Sequence, residues 1–312
     1  MVRWLWLCLG LLLGGCEWLV PLDGLADGVP DGGGACRKDL AGDRLNCGAC
    51  GHSCLGGECL RSRCQPVAIA DDQPGPLGID VSTHYVFWVN QTPAGLMRWA
   101  KDGSGTKPLS SPTDGVDDPF DIAVDADEVF IYWSELTKAQ IFRKPMNGGT
   151  KEEVGPGGPG QAAFLALEGP QLYITDFRPM ARMGIVATDK LVLYVEPDSV
   201  GGLAVKGGTV YWARQTEGKI MVGPATNMGT ATIAVDAVVG RPMGVAVDQD
   251  SIYWIEDGLR IKQAPRRGGA SPVTLYESPQ AFGDSDLAVD GTALYWTEHG
   301  MGPPGLVRRL AK

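Results

Sequence analysis

A short aromatic phrase recurs six times within residues 87–298 and restricts the chain to a repeat fold. Each copy has two large apolar residues, a variable residue and a polar residue: Phe87-Trp88-Val89-Asn90, Tyr132-Trp133-Ser134-Glu135, Tyr173-Ile174-Thr175-Asp176, Tyr211-Trp212-Ala213-Arg214, Tyr253-Trp254-Ile255-Glu256 and Tyr295-Trp296-Thr297-Glu298. The second positions are 45, 41, 38, 42 and 42 residues apart. A nearly constant period of about 40 residues is typical of arrays and propellers, in which each repeat is one small unit of structure.

A second apolar run precedes each aromatic phrase and predicts the innermost strand of a blade. The runs are Gly78-Ile79-Asp80-Val81, Asp121-Ile122-Ala123-Val124, Phe164-Leu165-Ala166-Leu167, Gly202-Leu203-Ala204-Val205, Gly244-Val245-Ala246-Val247 and Asp286-Leu287-Ala288-Val289. Five of the six have alanine at the third place, as expected where strands crowd around a central channel. The aromatic phrase then forms the second strand, where the gap between blades is wider. Both runs are apolar on nearly every residue, which is typical of strands buried on two faces.

The remaining segments of each repeat predict two further strands, and the chain ends predict how the ring closes. Runs such as Ile141-Phe142-Arg143-Lys144 follow the aromatic phrase, then glycine turns and an outermost strand. The sixth repeat ends after its third strand, while residues 66–70 hold an additional strand before the first repeat. We therefore predict an all-β, six-bladed β-propeller of four-stranded blades over residues 66–312, closed by strand 66–70 so that no long sheet edge stays open.

The phrases Tyr132-Trp133-Ser134-Glu135 and Tyr295-Trp296-Thr297-Glu298 resemble the YWTD repeats of the low-density lipoprotein receptor family. The likeness extends over the whole of residues 66–312 and implies a six-bladed propeller. Only Asp176 keeps the final aspartate of the family pattern, and Asn90 and Arg214 depart from it. The ligand sites of that family are not encoded in the repeated phrase, so the resemblance carries no prediction of a ligand.

Residues 1–15 have the pattern of an export signal: Arg3 and then an apolar run that is too short to span a membrane. The end of this run, Leu13-Gly14-Gly15-Cys16, resembles the lipobox of bacterial lipoproteins, which implies cleavage before Cys16 and lipidation of that residue. The alternatives are a plain secretory signal, or Cys16 as a disulfide partner. Residues 16–35 have the Gly and Asp content of a flexible tether. This hypothesis places the protein in the bacterial cell envelope, outside the cytoplasm and anchored to a membrane.

Residues 36–65 are rich in cysteine and predict a small disulfide-stapled module. The six cysteines are Cys36, Cys47, Cys50, Cys54, Cys59 and Cys64, which allow fifteen connectivities of three bridges. The competing interpretation is a zinc site formed by Cys47, Cys50, His52 and Cys54. The spacing Asn46-Cys47-Gly48-Ala49-Cys50-Gly51 followed by Cys54 and Cys59 is similar to the stigma-specific cysteine-rich family. That resemblance implies a small extracellular module with no activity.

The charge of the chain excludes a nucleic-acid partner. The formal net charge is −10, and residues 66–312 carry 21 Lys and Arg against 30 Asp and Glu. An acidic surface of this kind repels phosphate backbones. The expected partners are instead a membrane, through the lipid anchor, and an unidentified protein or glycan ligand.

Acidic residues recur at the starts of inner strands and the ends of second strands, which lie on the same face of a propeller. The set is Asp121, Glu135, Asp176, Glu256, Asp284, Asp286 and Glu298, with Arg214 as the cation at an equivalent position. Converging carboxylates can hold Ca²⁺, as in the gluconolactonase family of six-bladed enzymes. The alternative is that each carboxylate caps a turn or accepts bonds from backbone amides. The sequence thus requires no cofactor, with Ca²⁺ as the candidate if there is one.

Three functions follow from these patterns. A binding or scaffold protein is favoured because the repeated signals are architectural and none is catalytic. The second is a Ca²⁺-dependent hydrolase or lactonase that uses the acidic mouth, and the third is a purely structural envelope protein. His84 and His299 are the histidines outside the cysteine-rich module, and no serine or cysteine nucleophile motif accompanies them.

Overall fold

A computed structural model describes residues 39–154, 162–176, 182–187, 190–195, 198–226, 230–236, 240–283, 285–299 and 304–312, with backbone alone for 162–163, 176, 182–187 and 190–195. The predicted signal, Cys16, the tether, Cys36 and Asp284 lie outside the described residues. No helix among the described residues is long and apolar enough to cross a membrane.

The described chain is built from β-strands. In chain order they are β1 (Cys59–Leu60), β2 (Arg63–Cys64), β3 (Val67–Gln73), β4 (Pro76–Val81), β5 (Tyr85–Gln91), β6 (Ala94–Ala100), β7 (Gly105–Pro108), β8 (Pro119–Val124), β9 (Phe130–Glu135), β10 (Gln140–Pro145), β11 (Glu152–Glu153), β12 (Ala162–Glu168), β13 (Gln171–Asp176), β14 (Arg182–Ala187), β15 (Lys190–Val195), β16 (Val200–Lys206), β17 (Thr209–Arg214), β18 (Lys219–Pro224), β19 (Thr232–Val235), β20 (Pro242–Val247), β21 (Ser251–Glu256), β22 (Arg260–Pro265), β23 (Val273–Glu277), β24 (Leu287–Val289), β25 (Ala293–Glu298) and β26 (Gly305–Ala311). The prediction of an all-β protein is confirmed.

Among the described residues, β3–β26 form six four-stranded antiparallel sheets, and β1 and β2 form a separate two-stranded ribbon. Five sheets use four consecutive strands each: β4–β7, β8–β11, β12–β15, β16–β19 and β20–β23. Every sheet carries one aromatic phrase on its second strand. The first strands of successive sheets contact one another, and β24 contacts β4, so these six strands surround a central channel. These sheets are the blades of a propeller.

The ring is closed by the strand that precedes the first repeat. In the sheet β24-β25-β26-β3, β26 from the end of the chain pairs antiparallel with β3. Val307 lies opposite Ala70, and Arg309 lies opposite Val67. The predicted closure is therefore confirmed, and the closing strand runs on from the predicted residue 70 to Gln73. Pairing the two chain ends leaves no gap in the ring at which a sheet edge could pair with another chain.

The tryptophans of the aromatic phrase fill the space between blades. Trp88, Trp133, Trp212, Trp254 and Trp296 are at most 1% exposed and rank among the largest fully buried side chains. In the third repeat, Ile174 takes this position and is also buried. Burying rings of this size at each junction removes large apolar areas from water and sets the spacing of the blades.

The cysteine-rich module is stapled by disulfides and packs against the propeller. Disulfides join Cys47 to Cys59 and Cys54 to Cys64, and Cys50 is also disulfide-bonded. The four named sulfurs belong to the same buried cluster as Leu294, Trp296 and Leu310 of the last blade. Arg309 donates a hydrogen bond to the carbonyl oxygen of Leu55. The module therefore shares a core with the propeller.

Candidate functional site at the channel mouth

A β-bulge at the start of the inner strands decides which side chains reach the channel. The pairing of β8 with β9 shifts between Pro119 and Ile122, and equivalent shifts occur in four other blades. At the bulge, the amide of Asp121 donates to Oγ of Ser134, 3.1 Å away. In the sixth blade, where β24 and β25 pair in regular register, the amide of Asp286 donates to Oγ1 of Thr297 at 3.2 Å. A bulge redirects the side chain of the inserted residue, here toward the neighbouring blade.

The carboxylate of Asp121 links two adjacent blades. Its Oδ1 accepts from the amide of Ile122 on its own strand at 2.8 Å, and its Oδ2 accepts from the amide of Leu165 on β12 at 2.6 Å. The residue is 2% exposed. A buried carboxylate with both oxygens bonded to backbone amides is a structural bridge as well as a charge.

Asp286 forms the same bridge across the closing junction of the ring. Its carboxyl group accepts from the amide of Leu287 on its own strand and from the amide of Ile79 on β4. The negative charge of Asp286 also raises the pKa of Asp121, so the two carboxyl groups interact with each other.

Asp80 is a third bridging carboxylate, which the pattern of acidic residues at strand starts and ends does not predict. Its Oδ1 accepts from the amide of Val81 at 2.7 Å, and its Oδ2 accepts from the amide of Val124 on β8 at 2.8 Å. Asp80 occupies the one inner-strand position at which the other five repeats have alanine. That exception to the repeat was the signal from which it could have been identified.

The environment raises the pKa of all three carboxyl groups. Burial raises the pKa of Asp80 to about 6, although the amides of Val124 and Val81 stabilise its charged form. Burial raises the pKa of Asp286 to about 7, against the opposing effect of the amides of Leu287 and Ile79. Burial, and then the negative charge of Asp286, raise the pKa of Asp121 well above its usual value. The cluster therefore carries fewer negative charges near neutral pH than its composition indicates.

The mouth above this cluster is mainly apolar. Its volume is about 440 Å³, including the part that is open to solvent. The lining residues are Leu77, Gly78, Phe120, Phe164, Gln215, Arg241, Met243, Ser285 and Asp286. The rings of Phe120 and Phe164 meet edge to face with centroids 5.2 Å apart. Arg241 is exposed at the rim, where its Nη2 donates to Oε1 of Gln215 at 2.9 Å. Asp286 lies between the mouth and the channel beneath it.

Three of the predicted mouth residues lie elsewhere, and that part of the prediction is wrong. Glu135 is fully buried, and its carboxylate accepts from the indole of Trp133 at 3.1 Å and from Lys138 at 2.7 Å. Glu298 accepts from the indole of Trp296 at 3.0 Å and pairs with Arg308 at 2.8 Å. The reason is strand geometry: residues two apart on a strand share one face, so each glutamate follows its tryptophan into the space between blades.

Glu256 occupies the same position in the fifth blade and is also buried away from the mouth. Its Oε2 lies 3.6 Å from Arg260 and 3.7 Å from Lys262. Within the described residues, its Oε1 and the indole nitrogen of Trp254 have no hydrogen-bond partner. In the first blade, where Asn90 replaces glutamate, Gln73 of the closing strand accepts from the indole of Trp88 at 3.0 Å. The polar end of the aromatic phrase thus satisfies the tryptophan in the second and sixth blades.

The other predicted positions do not complete a ring of charges. Asp284 and the side chain of Asp176 lie outside the described residues. Arg214 donates to Oε2 of Glu217 at 3.3 Å, so it does not stand alone opposite the acidic groups. Nδ1 of His84 lies 3.0 Å from Oε2 of Glu128, in a contact between two exposed turns. Of the predicted set, the structure brings Asp121 and Asp286 together.

The cysteines do not offer a zinc site. In the described part of the chain, one group of three candidate metal ligands has its atoms close together: Cys47, Cys54 and Cys64. All three sulfurs are in disulfides, and zinc binds thiolates. The zinc interpretation is therefore wrong for these residues.

The comparisons with known proteins support the fold. No protein-family model matches the chain, and no curated protein matches it. A chain of the nidogen/laminin complex is similar in structure, with a TM-score of 0.58, 18% identity, and coverage of 69% of this chain and 85% of that one. A luciferin-regenerating enzyme has a TM-score of 0.64, 13% identity, and coverage of 80% and 96%. The virginiamycin B lyase of Staphylococcus aureus has a TM-score of 0.54, 17% identity, and coverage of 75% and 81%. One belongs to a binding complex and two are enzymes, so these similarities show a propeller and do not choose a function.

Proposed function

We propose that the protein is a binding protein of the bacterial cell envelope, anchored to a membrane through lipidated Cys16, that presents the channel mouth to a protein or glycan ligand. One observation carries the proposal: apolar walls of Leu77, Phe120, Phe164 and Met243 lie beneath a polar rim of Arg241 and Gln215. A concave apolar site with a few convergent polar groups is the usual form of a ligand site. The ligand group that fits is apolar and carries a hydrogen-bond acceptor for Arg241.

The bonding of the carboxylates favours binding over catalysis. Both oxygens of Asp121 and of Asp80 accept backbone amides from two strands, which holds them in place as parts of the ring. A catalytic carboxylate needs an oxygen within hydrogen-bond reach of a substrate. Of the three aspartates, Asp286 is the one that lines the mouth.

A Ca²⁺-dependent hydrolase or lactonase is the second candidate, and the Asp121–Asp286 pair is the observation that favours it. Two interacting carboxyl groups with raised pKa values at the base of a pocket resemble an acid–base pair. Against it, Ca²⁺ requires six to eight oxygen ligands, and these two groups already accept backbone amides. Metal analysis of the purified protein separates the candidates, because one calcium ion per chain would support the hydrolase.

Variants of the mouth test the binding function. Arg241→Glu and Phe120→Ala are expected to abolish capture of a ligand from envelope extracts, because they reverse the rim charge and remove an apolar wall. Arg267→Glu is the matched control, since this arginine is exposed elsewhere on the propeller. Melting temperatures close to that of the parent show that the variants are folded. If the mouth variants capture the same ligand as the parent, the mouth is not the binding site.

The anchor has its own test. Cys16→Ala removes the sulfur that would be acylated, so labelling of cells with radioactive palmitate should mark the parent protein and leave the variant unlabelled. Equal labelling of both proteins would contradict lipidation at Cys16.

A further inference from the structure

Two large apolar side chains of the cysteine-rich module are exposed. Leu45 is 62% exposed and Leu60 is 52% exposed. Among the described residues, only three other large hydrophobic side chains are similarly exposed, although the propeller is about eight times longer than the module. Exposed leucines concentrated in so small a region indicate a contact surface.

Three arginines surround these leucines and are not neutralised. Arg44, Arg61 and Arg63 are exposed, and their guanidinium groups form no ion pair with another described residue. By contrast, four arginines of the propeller are paired with glutamates: Arg143, Arg214, Arg260 and Arg308. The arginines of the module are therefore free to meet an external anion.

The disulfide framework holds these side chains outward. Cys59 and Cys64 are buried on one face of the β1–β2 hairpin, while Leu60 and Arg63 pair with each other on the opposite, exposed face. Arg61 lies at the tip between them with a positive φ of 52°. The loop that carries Arg44 and Leu45 is tied to the hairpin by the Cys47–Cys59 disulfide and by a hydrogen bond from the amide of Ser62 to the carbonyl oxygen of Ala41.

The charge of the module is opposite to that of the propeller. Residues 36–65 contain five Lys and Arg against three Asp and Glu, whereas residues 66–312 contain 21 against 30. The described module begins at Asp39, and 22 residues separate it from Cys16. A flexible chain of that length has an average span of roughly 26 Å. Of the tether, the module and the propeller, only the module has more Lys and Arg than Asp and Glu.

We propose that Arg44, Leu45, Leu60, Arg61 and Arg63 form a membrane-docking surface that binds anionic lipid headgroups and orients the propeller on the bilayer. Leucines enter the boundary between headgroups and acyl chains, while arginines contact lipid phosphates. A membrane is the occupant because the surface combines apolar and basic groups and only 22 residues of chain separate the module from the proposed lipid anchor. The inference rests on the membrane location in the proposed function, but it concerns a contact that does not need the acyl chains.

Vesicle flotation of the unacylated mature chain tests this contact. The protein is residues 16–312 with Cys16→Ser, oxidised, and the vesicles are phosphatidylcholine with or without phosphatidylglycerol. The parent should bind the anionic vesicles at least about tenfold more strongly than the neutral ones, and high salt should reduce the difference. Equal binding to both vesicles, or binding to neither, would overturn the proposal.

Charge and apolar variants then locate the surface. The double variant Arg44→Glu with Arg61→Glu should have a partition coefficient onto anionic vesicles that is lower by about 25-fold or more. This corresponds to about fivefold for each arginine removed. Leu45→Ser with Leu60→Ser should weaken binding to anionic vesicles without removing its salt dependence. The control is Lys107→Glu with Arg267→Glu, the same change of charge at exposed sites of the propeller. Parent-like binding by the arginine variant, or equal loss in the control, would contradict the assignment.

The two membrane contacts can fail separately. If palmitate labels Cys16 and the unacylated chain does not bind vesicles, the lipid anchor is supported and the docking surface is contradicted. If the unacylated chain binds anionic vesicles and palmitate does not label Cys16, the docking surface is supported and the proposed anchor is contradicted. Equal melting temperatures of parent and variants exclude misfolding as the cause of lost binding.

Discussion

Two stretches of the propeller ring, called here the aspartate half and the glycine half, hold their inner strands together by different means. In the aspartate half, three consecutive junctions from β24 through β4 and β8 to β12 have an aspartate that bridges to a backbone amide of the next blade: Asp286, Asp80 and Asp121. The junction of β4 with β8 also has a close glycine contact, since a Cβ on Gly78 would lie 2.4 Å from Cα of Asp121. In the glycine half, at the junctions between β16, β20 and β24, glycine permits direct backbone contact. A Cβ on Gly202 would lie 2.7 Å from the amide nitrogen of Val245, and one on Gly244 would lie 3.0 Å from Cα of Asp286.

This difference shows that one repeat can be joined to the next by two kinds of contact at the same register. Asp121, Asp286, Gly202 and Gly244 all occupy the first place of the inner-strand run. Where the position is aspartate, the carboxylate crosses to the next strand; where it is glycine, the next strand itself comes close. The aspartate half introduces a titratable cluster into the channel, and the glycine half does not. The titratable carboxyl groups therefore lie on one side of the channel, although the inner strands around it are nearly symmetric.

The largest effect is expected from removing a bridge in the aspartate half. Asp121→Ala leaves the buried amides of Ile122 and Leu165 without their acceptor and removes the partner of Asp286. At about 1–3 kcal/mol for each unsatisfied buried group, the free energy of unfolding should fall by about 2–4 kcal/mol. Denaturant unfolding measures it, with Asp102→Ala in an exposed turn as the control. A loss no greater than that of the control would mean that the bridge does not stabilise the ring.

Overpacking the glycine half should have the next largest effect. Gly202→Ala places a methyl group against backbone atoms of β20, which cannot move aside as a flexible side chain can. Such strain costs about 1–3 kcal/mol. Gly291→Ala is the matched control, because a Cβ there meets nothing within 4 Å. If both variants unfold at the same denaturant concentration, close backbone contact is not what joins these blades.

Between about pH 5 and pH 8, the pH dependence of stability should come mainly from the carboxyl groups of the aspartate half. In the folded state the pKa of Asp80 is about 6 and that of Asp286 about 7, above the value of about 3.9 in an unfolded chain. The folded protein then holds more protons between about pH 4 and pH 7, so its free energy of unfolding falls as the pH rises through this window. Melting temperatures should be higher at about pH 5 than at about pH 8. Asp286→Asn should reduce that slope, and an unchanged slope would exclude Asp286 as its source.

The smallest effect is expected from calcium. Asp121 and Asp286 have raised pKa values and accept backbone amides, so millimolar Ca²⁺ should change the melting temperature no more than the same concentration of Mg²⁺. Differential scanning calorimetry measures both. A rise specific to Ca²⁺ that Asp286→Asn removes would place a calcium ion in the mouth and favour the hydrolase.

The chemistry of the site was only partly predictable. Asp121 and Asp286 were expected at the mouth because they start inner strands, and the structure places them together. Glu135 and Glu298 were expected beside them because second strands end at the same face, but they bond to the tryptophans two residues earlier. Residues two apart on a strand face the same side of the sheet. Each of these glutamates lies two residues after a buried tryptophan, so the sequence predicts that its side chain enters the same space between blades.

The sequence by itself determined the repeat unit, the order of strands in each blade and the strand that closes the ring, because these depend on periodicity and on local apolar pattern. Only the tertiary structure decided which acidic groups meet. Asp80, Asp121 and Asp286 lie far apart in the chain, and their contacts depend on the packing of one blade against the next, with a bulge at Asp121. The pKa values follow from that arrangement, since burial and the interaction between the carboxyl groups exist only once the ring has closed.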